Sequence, residues 1–184
     1  MRVLKNIVSQ LHVYVVWLIL SAVLWGWIFG FVTDTGAEKK VVLYADVYAC
    51  EDRALAVALE QTMPAGLKMI QVHPFDYAMF SEEDLLNADL YLVAASRAEE
   101  YLDSFSPLSG AALPEGADCW THEGVPYGIP LNGAASGYIR YVPPGAAAED
   151  YYLFFGVNSV HTASLNGSAD DAALAVAAQL LALD

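Results

Sequence analysis

Polar and aromatic side chains cluster where three apolar segments of the sequence end. They follow the first segment, form the turn after the second and come directly after the third: Asp46, Tyr48, His73, Phe75, Asp76, Tyr77 and Ser96. Carboxylates and hydroxyl groups hydrogen-bond to polar ligands, and aromatic rings offer apolar faces. If the segments are parallel strands, these residues lie at their carboxyl ends, where open α/β sheets bind ligands. The set therefore predicts a site for a small polar or sugar-like ligand.

The aromatic turn after the second segment also has a purely structural interpretation. Phe75, Tyr77 and Phe80 can pack the turn against the domain, while the Asp76 carboxylate hydrogen-bonds to the backbone. Turns rich in proline, aspartate and aromatic residues are common in proteins without a ligand. Both interpretations of the turn remain open at the level of sequence.

Sequence patterns for catalysis and for cofactors are missing. The chain has neither Gly-x-Ser-x-Gly nor Ser-x-x-Lys for an activated serine, and neither Gly-x-Gly-x-x-Gly nor a Walker motif for phosphate. His73, His122 and His161 lie far apart, with no spacing typical of a zinc site. We predict a protein that is not an enzyme and holds no cofactor or metal. A hydrolase with an unrecognised site is the minority alternative.

The elements that must position these side chains follow an α/β pattern. Residues 41–47, 67–72 and 88–94 are short apolar runs that predict buried strands. Residues 51–61 carry a helical apolar stripe between the first two strands, so the unit is βαβ with parallel strands. Short helices are expected after Ser81 and after Ser96 because each serine begins a capping pattern.

The pattern changes in the C-terminal part of the chain. Short strands separated by turns are predicted at 125–131, 137–142 and 151–156. A last helix is expected from Asp170 or Asp171 to about Leu183, with Ser168 as its N-cap. The fold class predicted is α/β: one three-layer-like domain with a mixed, partly parallel sheet.

An apolar run without a charged residue, 11–32, precedes this domain and has the length that a membrane span needs, about 20 residues. Arg2 and Lys5 before it favour a cytoplasmic N-terminus. We predict a cytoplasmic segment 1–10, a single-pass anchor 11–32 in the cell membrane, a linker 33–39 and an extracytoplasmic domain 40–184. A signal peptide cleaved after Thr35-Gly36-Ala37 is the alternative, although its apolar core would be unusually long.

Charge limits the partners of the predicted domain. All 22 acidic residues follow the apolar run, against six basic residues there, which gives the domain a net charge near −16. Nucleic acid is excluded as a partner because its phosphates require a basic surface. Gly26 and Gly30 form a Gly-x-x-x-Gly pattern that can pack against a membrane-protein partner. Cys50 and Cys119 can form a disulfide or remain free thiols, and the sequence leaves both open.

Four segments resemble pieces of one lobe of the bacterial extracellular solute-binding proteins that serve ABC transporters: 44–47, 80–93, 127–131 and 170–174. In that family a segment like Asn87-Ala-Asp-Leu-Tyr-Leu leads into the ligand cleft, and one like Tyr127-Gly-Ile-Pro enters the second lobe. The resemblance implies a reduced, membrane-tethered relative, because about 150 residues cannot build two lobes and no lipoprotein cysteine follows the apolar run.

Two functions follow from these observations. The first is a non-catalytic, membrane-anchored extracytoplasmic binding module for a small-molecule ligand. The second is an interaction or assembly protein of a membrane complex, with no small-molecule ligand. A ligand-sized cavity lined by residues at the strand ends favours the first. An exposed apolar patch and closely packed strand ends favour the second.

Overall fold

The chain divides into two compact units, Met1–Thr35 and Gly36–Asp184. The structure is a computed structural model, and it describes residues 2–33, 35–74, 86–110 and 116–183. The helix predicted to begin after Ser81 lies largely outside the described residues.

The first unit is a single helix, α1, over Arg2–Thr33. The structure describes the side chains of residue 11 and of residues 13–29 in this helix. The large apolar side chains among them are exposed, and Trp17 and Trp25 are each more than 60% accessible to solvent. Over the residues that the structure describes, no helix proves long and apolar enough to span a membrane. The membrane anchor at 11–32 stays a prediction from the sequence.

The second unit contains short strands and helices. In chain order they are the 3₁₀ helix Ala37–Lys39, β1 Lys40–Ala45, β2 Ala49–Cys50, α2 Asp52–Glu60, β3 Met69–Pro74, β4 Leu90–Ala94, the 3₁₀ helix Ala95–Ser104, β5 Phe105–Ser106, β6 Trp120–His122, β7 Val125–Pro130, β8 Ile139–Arg140, β9 Tyr151–Gly156, α3 Ala163–Asn166 and α4 Ala172–Ala182.

Within the described residues, seven of these strands form one mixed sheet. Its order is β3-β1-β4-β9-β7-β6, and β5 pairs with β9. Strands β3, β1 and β4 run parallel, whereas β9 is antiparallel to β4 and β7 is antiparallel to β9. The predicted α/β fold with a mixed, partly parallel sheet is confirmed. Strands β2 and β8 form a separate antiparallel pair.

Alternation along β1 divides the core into two layers of side chains. Val41 and Leu43 lie on one face of the sheet, where they join Leu55 of α2 and Val176 of α4 in an aliphatic cluster. Tyr44 lies on the opposite face, in an aromatic cluster that also contains residues of the 3₁₀ helix Ala95–Ser104. Helical segments therefore cover both faces, as parallel strands require because both of their faces are buried.

Two details of the C-terminal part differ from prediction. The strand expected at 137–142 is reduced to β8, because Asn132, Gly133 and Ala135 take positive φ angles and the chain turns through 132–138. The prediction that Ser168 caps the last helix is wrong. Its hydroxyl accepts a hydrogen bond from the backbone N–H of Thr162 instead, and α4 begins at Ala172.

A buried histidine ties the beginning of the second unit to its C-terminal part. His161 is fully buried; its Nδ1 lies 2.7 Å from Asp170 Oδ1 and its Nε2 lies 2.9 Å from the carbonyl oxygen of Ala37. A carboxylate oxygen and a carbonyl oxygen both accept hydrogen bonds, so the ring donates from both nitrogens only as the imidazolium cation. We therefore assign His161 a positive charge.

Candidate ligand-binding site

The carboxyl ends of β1 and β4 are the natural place for a site in this sheet. From β1 the chain continues to β3, which pairs with one edge of β1. It then returns to β4, which pairs with the other edge of β1. Ligands of open α/β sheets bind outside the strand ends at such a reversal. Asp46 follows β1 directly, and Ser96 lies in the 3₁₀ helix that follows β4. The structure therefore brings these two predicted residues to the same edge of the sheet.

Asp46 is paired with a cation that the sequence analysis did not single out. Arg97 Nη1 lies 2.7 and 2.6 Å from the two carboxylate oxygens of Asp46, and Arg97 Nη2 lies 2.5 Å from the Tyr101 hydroxyl. Burial is the main influence on Asp46 and raises its pKa, although the Arg97 cation opposes the shift. The sequence did carry a signal for Arg97, because it is the one lysine or arginine between Lys68 and Arg140.

The segment before β9 is held against the end of β4. The Ser96 hydroxyl donates a hydrogen bond to Glu149 Oε1. The backbone N–H of Ala95 donates to the carbonyl oxygen of Asp150 at 2.9 Å. These bonds hold the Glu149 carboxylate and the Asp150 backbone at the entry to β9. The sequence Glu149-Asp150-Tyr151-Tyr152 just before the apolar part of the strand was the signal that could have identified them.

A cavity of about 500 Å³ opens beside this segment. Its walls combine backbone and small residues with acidic and aromatic side chains: Gly116, Ala117, Asp118, Pro130, Asn132, Gly133, Tyr141, Val142, Ala148, Glu149, Asp150, Tyr151 and Tyr152. The volume lies in the range of small-molecule sites, about 300–1,000 Å³. The cavity therefore has the size, and the lining of rings and polar groups, that a small polar ligand requires.

Two of the tyrosines form a rigid wall. The rings of Tyr141 and Tyr151 have centroids 5.0 Å apart, and the Tyr151 hydroxyl donates to the carbonyl oxygen of Tyr141 at 2.8 Å. The Tyr141 hydroxyl donates to the carbonyl oxygen of Ala134. With both hydroxyl groups engaged, the rings hold their orientation before any ligand arrives, which lowers the entropic cost of binding.

Burial and negative charge both act on the phenols of the cavity. Burial, followed by the Cys50 and Tyr151 groups, raises the pKa of Tyr141 to about 12. The pKa of Tyr152 is also raised, first by burial and then by the carboxylates of Asp150 and Asp118. These phenols are therefore neutral at physiological pH and offer the cavity ring faces without charge.

The other predicted site residues lie elsewhere. Tyr48 is exposed, and its backbone N–H donates to the carbonyl oxygen of Tyr141 at 3.1 Å. His73 lies in a different cavity on the face of the sheet, where its ring centroid is 5.3 Å from that of Tyr44. Three further predicted residues lie outside the described residues: Phe75, Asp76 and Tyr77. The cavity of about 500 Å³ is lined by none of Asp46, Tyr48, Ser96 or His73. Tyr48 and Ser96 hydrogen-bond to two of its lining residues, Tyr141 and Glu149.

Across the described ranges, no group of three or more His, Cys, Asp or Glu residues is placed to hold a metal ion. Cys50 and Cys119 are free thiols. Burial, followed by the charges of Asp52 and Glu51, raises the pKa of Cys50 to about 11, so this thiol is a weak nucleophile at neutral pH.

Comparison with known protein families, with curated proteins and with solved structures finds no match to this chain. The resemblance to one lobe of a solute-binding protein therefore stays a prediction from four short segments. The cavity of about 500 Å³ is the feature of the second unit that bears most directly on function.

Proposed function

We propose that residues 40–184 form a non-catalytic binding module for a small polar ligand, tethered to the cell membrane on its extracytoplasmic side. The observation that carries this proposal is the cavity of about 500 Å³ at the edge of the sheet where β7 ends and β9 begins, next to the carboxyl end of β4. It combines an expected location in an α/β sheet with a ligand-sized volume. A solute-binding-protein lobe would use the same edge of its sheet, as the sequence resemblance implies.

The lining of the cavity supports binding more than catalysis. Tyr141 and Tyr151 are locked by hydrogen bonds to backbone carbonyl oxygens, so they serve as fixed walls. Glu149 and Asp150 are held at the entry of β9 by contacts from the residues that follow β4. Catalysis by an activated nucleophile needs such a group next to a base. Among the described lining residues none is a cysteine, serine, lysine or histidine, so this part of the chain offers the cavity no serine or cysteine nucleophile with a histidine base.

Ligand binding is expected to raise the stability of the full chain in neutral detergent micelles. A ligand that binds only the folded state adds about 2.7 kcal/mol at a hundredfold excess over its Kd. Thermal unfolding followed against sugars, amino acids and amines measures this effect. Tyr152→Leu, which removes a ring from the cavity wall, should abolish the rise. Tyr138→Leu is the matched control, because Tyr138 is also half-buried but does not line the cavity.

A cooperative melt that no compound shifts would contradict the binding module. It would favour the alternative of an interaction or assembly protein. The exposed apolar side chains of α1, and the open space around Gly26, where an added Cβ would meet no atom within 4 Å, are the features that such a partner would use.

The membrane tether is supported by the uncharged run 11–32 and by the continuity of α1 over Arg2–Thr33. Cells expressing the full chain should retain it in the membrane fraction after alkaline carbonate extraction, while a chain beginning at Gly36 should be released. Protease added outside the cytoplasm should digest the second unit. Release of the full chain by carbonate, or removal of residues 1–37 from the mature protein, would contradict the anchor.

A further inference from the structure

We infer that the ligand of this cavity is a small organic cation, an amine; the inference rests on the proposed binding function and narrows its ligand class. Three acidic residues, all of them exposed in the absence of a ligand, line the same cavity: Asp118, Glu149 and Asp150. Among the described lining residues there is no Lys, Arg or His to balance them. Residues 75–85 and 111–115, outside the described set, contain no basic residue either.

Arg97, the cation beside the carboxyl end of β1, is already engaged by acidic partners. Arg97 contacts both carboxylate oxygens of Asp46 and lies 3.5 Å from Glu100 through its Nε. The pKa of Asp46 is raised, first by burial, with Glu100 and Glu149 adding to the shift against the opposing Arg97. Arg97 is therefore occupied by Asp46 and Glu100 and is not the counter-charge of Asp118 or Asp150.

An uncharged or anionic ligand would cover these carboxylates without a counter-charge. Removing an ionised group from water without a partner is costly, whereas a charge-assisted hydrogen bond from an ammonium group compensates for the lost hydration. A cationic ligand therefore fits the lining better than a sugar does. This narrows the broader prediction of a small polar or sugar-like ligand.

The tyrosine wall favours an organic cation over a metal ion. Ring faces attract ammonium groups, with energies of about 0.5–2 kcal/mol depending on desolvation. Tyr141 and Tyr152 keep neutral phenols because their pKa values are raised, so their rings offer this contact at physiological pH. Over the described residues no metal-binding group of three side chains is found. A cavity of about 500 Å³ holds a small organic molecule.

The test is calorimetric titration of the full chain, in neutral detergent micelles, with a diamine (putrescine), glucose and succinate. We expect saturable binding of the diamine alone. Glu149→Gln and Asp150→Asn should each weaken it about tenfold, the equivalent of one charge-assisted hydrogen bond of about 1.4 kcal/mol. Glu38→Gln is the matched control, since Glu38 is exposed and lies before β1, away from the strand ends that border the cavity.

Three outcomes would overturn the inference in distinguishable ways. Binding of glucose with an affinity that Glu149→Gln leaves unchanged would overturn the ligand class and leave the proposed function standing. If Glu38→Gln weakens diamine binding as much as Glu149→Gln does, the diamine is attracted to the acidic surface as a whole, and the inference of an amine site in the cavity is overturned. The third outcome is that none of the three compounds binds and that no sugar, amino acid or amine of the wider set raises stability. This outcome would overturn both the inference and the proposed function.

Discussion

Replacing Gly156 by alanine is expected to lower the free energy of unfolding by about 3 kcal/mol or more. A Cβ at this position would lie 1.9 Å from the carbonyl oxygen of Ala88, a backbone atom that cannot rotate away. Overpacking of a well-packed interior costs typically 1–3 kcal/mol, and a backbone clash falls at the upper end or beyond. Urea denaturation of the full chain, followed by fluorescence of the second unit, measures the change.

Gly36→Ala is the matched control. A Cβ at Gly36 meets only the flexible Glu38 side chain, at 3.9 Å, and the φ angle of −54° suits alanine. Stability should therefore stay within about 0.5 kcal/mol. Because β9 pairs with β4 and carries Tyr151 and Tyr152, Gly156→Ala should also weaken ligand binding. A variant with wild-type stability would contradict the close approach of β9 to the start of β4.

Replacing His161 by leucine is expected to cost about 2–3 kcal/mol at pH 6. The substitution removes a buried cation. The Ala37 carbonyl oxygen and Asp170 Oδ1 then lose the hydrogen bonds that the two ring N–H groups of His161 donate to them. The half-exposed Asp170 side chain recovers some hydration, which keeps the cost below that of a fully buried pair. The difference in unfolding free energy between the two proteins is the measurement.

The cost should shrink as the pH rises. Burial of His161 opposes its charge, but the hydrogen bonds to Asp170 and Ala37 outweigh burial and raise its pKa above the ordinary value of 6.5. The folded protein therefore retains this proton where the unfolded chain has lost it. The stabilisation is complete below pH 6.5 and is lost as the pH passes through the raised pKa. Urea denaturation from about pH 6 to pH 9 follows this change.

His122→Leu provides the comparison for this pH series. The His122 ring is partly exposed and its Nδ1 is 4.0 Å from Glu99, so its removal should cost less than about 1 kcal/mol. Comparing the two series separates the effect of the buried His161 ring from the effect of losing a partly exposed imidazole elsewhere in the chain. A cost for His161→Leu that stays constant between pH 6 and pH 9 would contradict the assignment of a buried imidazolium.

The fold was predictable to the extent that it follows from local pattern. The three runs of apolar and β-branched residues identified β1, β3 and β4, with bounds shifted by at most two residues. The helix between the first two runs fixed their parallel pairing, because a crossover of that length returns the chain in the same direction. The turn at 132–138 was missed because its positive φ angles fall on Asn132 and Ala135 as well as on Gly133.

The candidate site was predictable in its location and not in its composition. Asp46 and Ser96 could be placed at one edge of the sheet because both follow parallel strands. Their partners could not, since Arg97 is 51 residues from Asp46 and Glu149 is 53 residues from Ser96. Local periodicity indicates which face a side chain occupies, and it carries no information about which distant segment covers that face.

By itself the sequence determined the class of the sheet, the strongly acidic surface of the domain and the uncharged run at the N-terminus. These follow from composition and from patterns a few residues long. The tertiary structure alone decided that three carboxylates and three tyrosines share one cavity, that Asp46 is neutralised by Arg97 and that His161 is charged. Such features depend on contacts between distant segments, as between Ala37 and His161, which are 124 residues apart.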